Sequence, residues 1–179
     1  MPSQEKSSHC ATELLTGCAV FGWLTGTDYS AWVRESWGWP FALTLHAFGN
    51  AVVVGLMFIV ALRLLGLFRT IPYTSLNKLF PYIWTAFAVQ VYSGFTLWSS
   101  KPDRYLADAM FDVKFSFVVL GAILTWYFQG ALRQEALAWQ AAGAVSSRGI
   151  QLVCVATLAW ATVLTTGRLT AYLGTLYMQ

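Results

Sequence analysis

Charge is what this sequence has least of. Aspartate, glutamate, lysine and arginine make up 11% of its 179 residues, against about 25% in a soluble domain. A chain that poor in charge does not suit a fold surrounded by water. Its 11 basic and 8 acidic residues leave a net charge of only +3, spread along the chain. No concentrated basic patch forms, so nucleic acid is not expected as a partner. Histidine is almost absent, with only His9 and His46. Cys10, Cys18 and Cys154 stand alone. Without a C-x-x-C pair or zinc spacing they make no zinc module, and an odd count argues against a disulfide framework. Internal repeats, low-complexity tracts and long connections are also lacking. No soluble catalytic unit fits between the elements, and the protein is not expected to be catalytic on its own.

What is present in excess is apolar surface. Hydrophobic residues make up 57% of the chain and the mean hydropathy is +0.55, which indicates an integral membrane protein. Four apolar segments stand out, at about Gly38–Phe68, Tyr73–Ser99, Ala109–Leu132 and Ile150–Leu176. Each exceeds the ~20 residues needed to cross a bilayer core. The expected fold is all-α. A four-helix transmembrane bundle over residues 38–179 follows a tail and an amphipathic interfacial helix over residues 1–37. Pro40 suits the first turn of the first span. Pro81 falls about two turns into the second, where it is expected to kink the helix.

The N-terminal part differs in kind. The tetrapeptide Leu15-Thr16-Gly17-Cys18 has the look of a lipoprotein cleavage box, but the residues before it are mostly polar rather than an apolar h-region. The stretch Leu14–Leu24 is apolar but short, either a half-buried helix or an atypical fifth span. In Asp28-Tyr29-Ser30-Ala31-Trp32-Val33-Arg34-Glu35-Ser36-Trp37, tryptophans alternate with charges. That suits a helix in the headgroup region, with Asp28 as its cap.

Orientation follows from the short loops. The first holds Arg63, Arg69 and Lys78 with no acid between them, and the third holds Arg133 and Arg148. The second balances Lys101 and Arg104 with Asp103 and Asp108. The positive-inside rule places loops one and three in the cytoplasm. Both termini then face the other side, the periplasm of a bacterial inner membrane.

This topology puts the polar exceptions at similar depths. His46 and Arg168 lie about 12 Å below the outer ends of their helices, Gln90 at a similar depth and Lys114 at roughly 8 Å. Each span thus contributes one such residue to the outer half, and the inner half is expected to offer no comparable group. His46 and Asn50 share a face at i, i+4, as do Arg168 and Tyr172. Gly94, aligned with Gln90, leaves room for a neighbour. Asp108 or Asp112 is placed to pair with Lys114 or Arg168. An unpaired charge in hydrocarbon costs several kcal/mol, so Arg168 is expected to face the interior, a partner or a bound anion. Plainer roles stay open: Lys114 snorkelling to the interface, His46 with Asn50 as interhelical glue, and Arg63 as a simple cytoplasmic anchor.

The runs SAWVRESWGWPFALTLHAFGNAVVVGLMFIVALRLLGLF, FPYIWTAFAVQVYSGFTLW, FDVKFSFVVLGAI and GRLTAY, taken together, resemble a group of small uncharacterised bacterial inner-membrane proteins. More distantly, they are similar to copper-resistance D-type and cytochrome b-like four-helix membrane proteins. His46, Arg63, Lys114, Gly167, Arg168, Ala171 and Tyr172 carry the resemblance. The chain departs from that group in having Ala61-Leu62 before Arg63, where an acidic residue is usual.

The functional expectation is a membrane subunit of a bacterial redox assembly, with a haem b or quinone site near the outer side. Its candidate residues are His46, Asn50, Gln90, Lys114, Arg168 and Tyr172, with His46 the candidate metal ligand. Haem held by two histidines needs two in the membrane, and this chain has one. Haem would have to be five-coordinate, take a non-histidine ligand such as Met57, or be shared across subunits. The alternatives are an accessory subunit that anchors or seals a larger membrane complex, binding lipid or pigment, and a metal or small-anion transporter. Partners are expected to be membrane lipids and other membrane subunits, or further copies of the chain.

Overall fold

A computed structural model describes residues 21–106 and 108–176, with side chains described except at residues 22, 103, 104 and 170–176. The readings made for His9, Cys10, the Cys18 box and most of Leu14–Leu24 lie outside the described residues. Helices α1 (Gly22–Thr25), α2 (Asp28–Glu35) and α3 (Gly38–Leu64) come first. A 3-10 segment, Tyr73–Leu79, leads directly into α4 (Phe80–Ser100). Then come α5 (Pro102–Leu106), α6 (Ala109–Ala142) and α7 (Ser147–Leu176). The described residues contain no strand, so the fold is all-helical. Three helices are long and apolar enough to cross a membrane: α3, α6 and α7 over Ser147–Leu169. Three such helices are consistent with a multi-pass membrane protein. The 21 residues of α4 carry no charge, but Gln90, two tyrosines and several hydroxyl residues dilute its apolar character.

Local chemistry sets the helix ends and corrects several expected boundaries. α3 stops at Leu64 because Gly66 takes a left-handed conformation, φ +97°. Leu67 N–H bonds back to the Leu62 carbonyl at 2.9 Å, and Gly66 N–H to that of Arg63 at 3.2 Å. This is a Schellman termination. The second long helix begins at Phe80 rather than Tyr73. Pro81 therefore sits in its first turn, where a missing N–H costs nothing, and starts the helix instead of kinking it. Thr27, not Asp28, caps α2, accepting from Ser30 N–H at 3.2 Å. α6 runs to Ala142, ten residues past the expected Leu132, and ends at left-handed Gly143. Its 34 residues span about 51 Å, against a ~30 Å hydrocarbon core.

α3 packs antiparallel to α4, α6 to α7, and α3 also lies along α7. The two loops rich in arginine and lysine meet at one end, here the basic end. There Tyr73 stacks edge-on against Trp139 at 6.3 Å, and its N–H bonds to Gln140 Oε1 at 3.0 Å. The apolar core fills the half next to that end. Val53, Met57 and Val60 of α3 meet Phe80 and Ile83 of α4, Phe128 and Leu132 of α6, and Val153 and Val163 of α7. Trp160 lies among them, with its Nε1–H donated to Thr125 Oγ1 at 2.9 Å.

That half is not free of polar groups, contrary to expectation. Trp84 Nε1–H is donated to Gln129 Oε1 at 2.9 Å. Arg63 is buried, not a solvent-facing anchor. Its guanidinium donates to the carbonyls of Ile71 and Arg69 and lies 3.9 Å from the centre of the Tyr73 ring. The turn after α3 folds back over the side chain, so loop carbonyls and an aromatic face take the place of water.

At the far end, α1 and α2 fold across the ends of α3 and α4. Tyr29 OH lies 2.7 Å from Thr96 Oγ1, and Ser30 Oγ lies within hydrogen-bond reach of the Leu24 and Ser99 carbonyls. Trp32 and Trp37 are exposed. α6 is thinly covered here, with no buried residue from Ala109 to Leu120.

Candidate functional site

The site begins with a glycine. α3 and α4 approach so closely that a Cβ at Gly49 would lie 2.9 Å from the Ala86 carbonyl oxygen and 3.1 Å from Gln90 Cβ. One turn towards the far end, that approach presses His46 against α4. Its ring lies on Gly94, where a Cβ would stand 3.2 Å from His46 Cε1. The expected room beside Gly94 is therefore filled by the imidazole itself.

His46 Nδ1 lies 3.1 Å from the Gln90 backbone carbonyl and 3.1 Å from Ser93 Oγ. Ser93 directs its own hydroxyl hydrogen at the Val89 carbonyl, 2.8 Å away, as helical serines do. It is therefore an acceptor towards the ring, and Nδ1–H is the donor. In the neutral imidazole, Nε2 is left as a bare lone pair. A ring fixed in this way is set up to bind a metal or accept a proton at its other nitrogen. Nε2 itself receives no hydrogen bond from a described residue.

Gln90 supplies a second unfilled acceptor. Its side-chain Nε2 donates to Asn50 Oδ1 at 3.3 Å, joining the two amides across α3 and α4. Its Oε1 is buried and has no hydrogen-bond partner. An acceptor left that way costs about 1–3 kcal/mol, which a ligand hydroxyl or N–H would recover.

The cation beside this pair is Lys114. It is partly buried, and a Cβ at Gly167 of α7 would lie 3.4 Å from its Nζ. Its charge acts on His46, and no described carboxylate pairs with it. The lysine does not simply snorkel outward. Asp108 is occupied as the cap of α6, accepting from Met110 N–H at 2.9 Å. Asp112 is exposed: two residues from Lys114 is about 200° around a helix, the opposite side.

Of the residues expected from sequence, His46, Asn50 and Gln90 are joined by hydrogen bonds, and Lys114 reaches the same interior. Arg168 does not. It is exposed and makes no hydrogen bond or ion pair with a described residue, because Gly167, one position earlier, takes the inward place opposite Lys114. The Tyr172 side chain lies outside the described ones. Ser93 was not anticipated. The signal was there: it sits three residues after Gln90 and one before Gly94, on the same side of α4.

A cavity of about 30 Å³ opens next to Ser93, lined also by Tyr29, Phe41, Leu45, Tyr92 and Thr96. That is space for a water or two. The described residues contain no group of three or more histidine, cysteine, aspartate or glutamate side chains able to hold a metal. Met57 is no second ligand to iron at His46. It is buried in the core, eleven residues along the same helix, or about 16 Å away.

Comparison of the chain with protein-family models, with curated proteins and with solved structures gives no match.

Proposed function

We propose that the protein is a four-span subunit of a bacterial inner-membrane redox assembly whose outer half binds a hydroquinone. In this arrangement α4 is the fourth span, α2 lies in the interface, the basic end faces the cytoplasm and both termini face the periplasm. The observation that carries the ligand reading is the fixed imidazole. With Nδ1–H committed to the Gln90 carbonyl, Nε2 accepts, and the side-chain Oε1 of the same Gln90 also lacks a donor. A hydroquinone supplies hydroxyl donors, whereas the oxidised quinone has only carbonyl acceptors. Lys114 adds a positive charge that favours negative charge developing on the ligand oxygen. Haem b fits the same nitrogen less well, because the helix that carries His46 brings no second ligand near it.

Spectra of the purified protein and an organic extract test this reading. Hydroquinone binding predicts an extractable quinone and no absorption band from haem in either the oxidised or the dithionite-reduced state. A reduced-minus-oxidised band that disappears in His46→Ala would instead make His46 an iron ligand. A protein carrying neither group, with partner binding unchanged in His46→Ala, would leave the histidine as helix–helix glue in an accessory subunit.

A further inference from the structure

A second cavity, of about 430 Å³, opens on α6 towards the basic end, well away from His46. Trp126, Tyr127 and Gly130 line one part of it, and Arg133, Glu135 and Arg148 another. Gly130 leaves the groove open: a Cβ there would meet no heavy atom within 4 Å. Arg133 and Arg148 are both exposed, and neither makes an ion pair with a described residue. Glu135, the acid on this groove, is engaged elsewhere. Its Oε2 accepts from Trp139 Nε1–H at 3.0 Å and from Ser146 Oγ–H at 2.9 Å. Two guanidiniums from different helices therefore face the groove without an ion-pair partner, and with the Glu135 carboxylate beside them the lining keeps a net positive charge.

The aromatic part lies deeper along the helix. Trp126 and Tyr127 pair edge-on with centroids 5.2 Å apart, and both are exposed. Arg133 is seven residues further along α6, about 10 Å towards the basic end. Cations at one level and aromatic rings at the next match the order of headgroup and upper acyl chain in a leaflet. Guanidinium binds phosphate through paired donors. A soluble phosphate would use only the cationic part of the groove, while a phospholipid would use its whole length.

We propose that this groove binds one anionic phospholipid, its phosphate between Arg133 and Arg148 and an acyl chain along Trp126 and the opening at Gly130. The full-length protein in detergent is titrated with phosphatidylglycerol and, separately, with phosphatidylcholine, and retained lipid is read by native mass spectrometry. Phosphatidylglycerol is expected to be retained in preference. Arg133→Gln and Arg148→Gln each weaken its binding about fivefold, more than they weaken that of phosphatidylcholine, with an unchanged unfolding transition as the folding control. Gly130→Leu keeps both cations but fills the groove, and is expected to weaken retention of both lipids. Equal retention of the two lipids, or undiminished retention in Gly130→Leu, would overturn the proposal. So would displacement by inorganic phosphate as effective as by phosphatidylglycerol, which would make the groove a site for a soluble anion.

Discussion

Gly49 lacks a side chain because the backbone of α4 leaves no space for one, whereas Gly55, six residues later, would point a Cβ into open space. The two therefore respond in opposite directions to the same substitution. Gly49→Ala forces α3 from α4 and is expected to cost about 1–3 kcal/mol, the range for overpacking. Gly55→Ala gains helix propensity and is expected to stabilise by about 0.5–1 kcal/mol. Unfolding of the detergent-solubilised protein by dodecyl sulfate measures both. A destabilised Gly55→Ala, or a neutral Gly49→Ala, would show that α3 is not seated on α4 as described. At this scale the site was partly legible. A histidine, an asparagine and a glutamine in apolar runs announce themselves by type and spacing. Which neighbour each one meets depends on helix rotation, and periodicity does not settle that in a helix apolar on every side. Arg168 was read as the inward cation for that reason. The structure gives the interior to Lys114, whose long stem reaches across to Gly167.

Two element boundaries rest on single residues, and those residues make opposite predictions. Gly66 holds φ +97° with nothing near its missing Cβ, so the cost of Gly66→Ala is purely conformational, about 1–3 kcal/mol. Pro81 sits in the first turn of α4, where alanine is nearly as good, and Pro81→Ala is expected to change stability by less than about 1 kcal/mol. A large loss in Pro81→Ala would mean that the proline is needed to hold the 3-10 segment in place. Sequence reading placed four long helices and matched the starts of α3 and α6 and the end of α7, but misplaced the end of α3, the start of α4 and the end of α6. Tyr73–Leu79 interrupts the apolar run with Thr74, Ser75, Asn77 and Lys78, and with Tyr73 packed on Trp139 and Arg63 it forms a separate 3-10 segment. The last ten residues of α6 were missed because they carry charge. They are helical because Leu132, Ala136 and Trp139 bury one stripe at i, i+4 and i+7 beneath the basic-end loop.

Across the whole molecule, the halves divide their tasks. The basic-end half is a packed apolar core closed by Arg63 and its loop. The far half is looser, with α6 thinly covered and the hydrogen-bonded group around His46 held between α3 and α4, the imidazole partly exposed. The four-span topology predicts that single cysteines at Thr70 and Lys101, in a background without Cys10, Cys18 and Cys154, are labelled from opposite faces of the membrane. Labelling of both from one face would remove α4 as a span.

The central claim is that His46 and Gln90 present bare acceptors to a hydroxyl-bearing ligand. Equilibrium binding of a short-tailed benzoquinone to the purified protein, measured in its reduced and its oxidised form, tests this most directly. The account predicts tighter binding of the reduced form, with a loss of about tenfold in His46→Ala, the worth of one hydrogen bond. Oxidised quinone binding as tightly as reduced, or a His46→Ala variant with unaltered affinity, would contradict it.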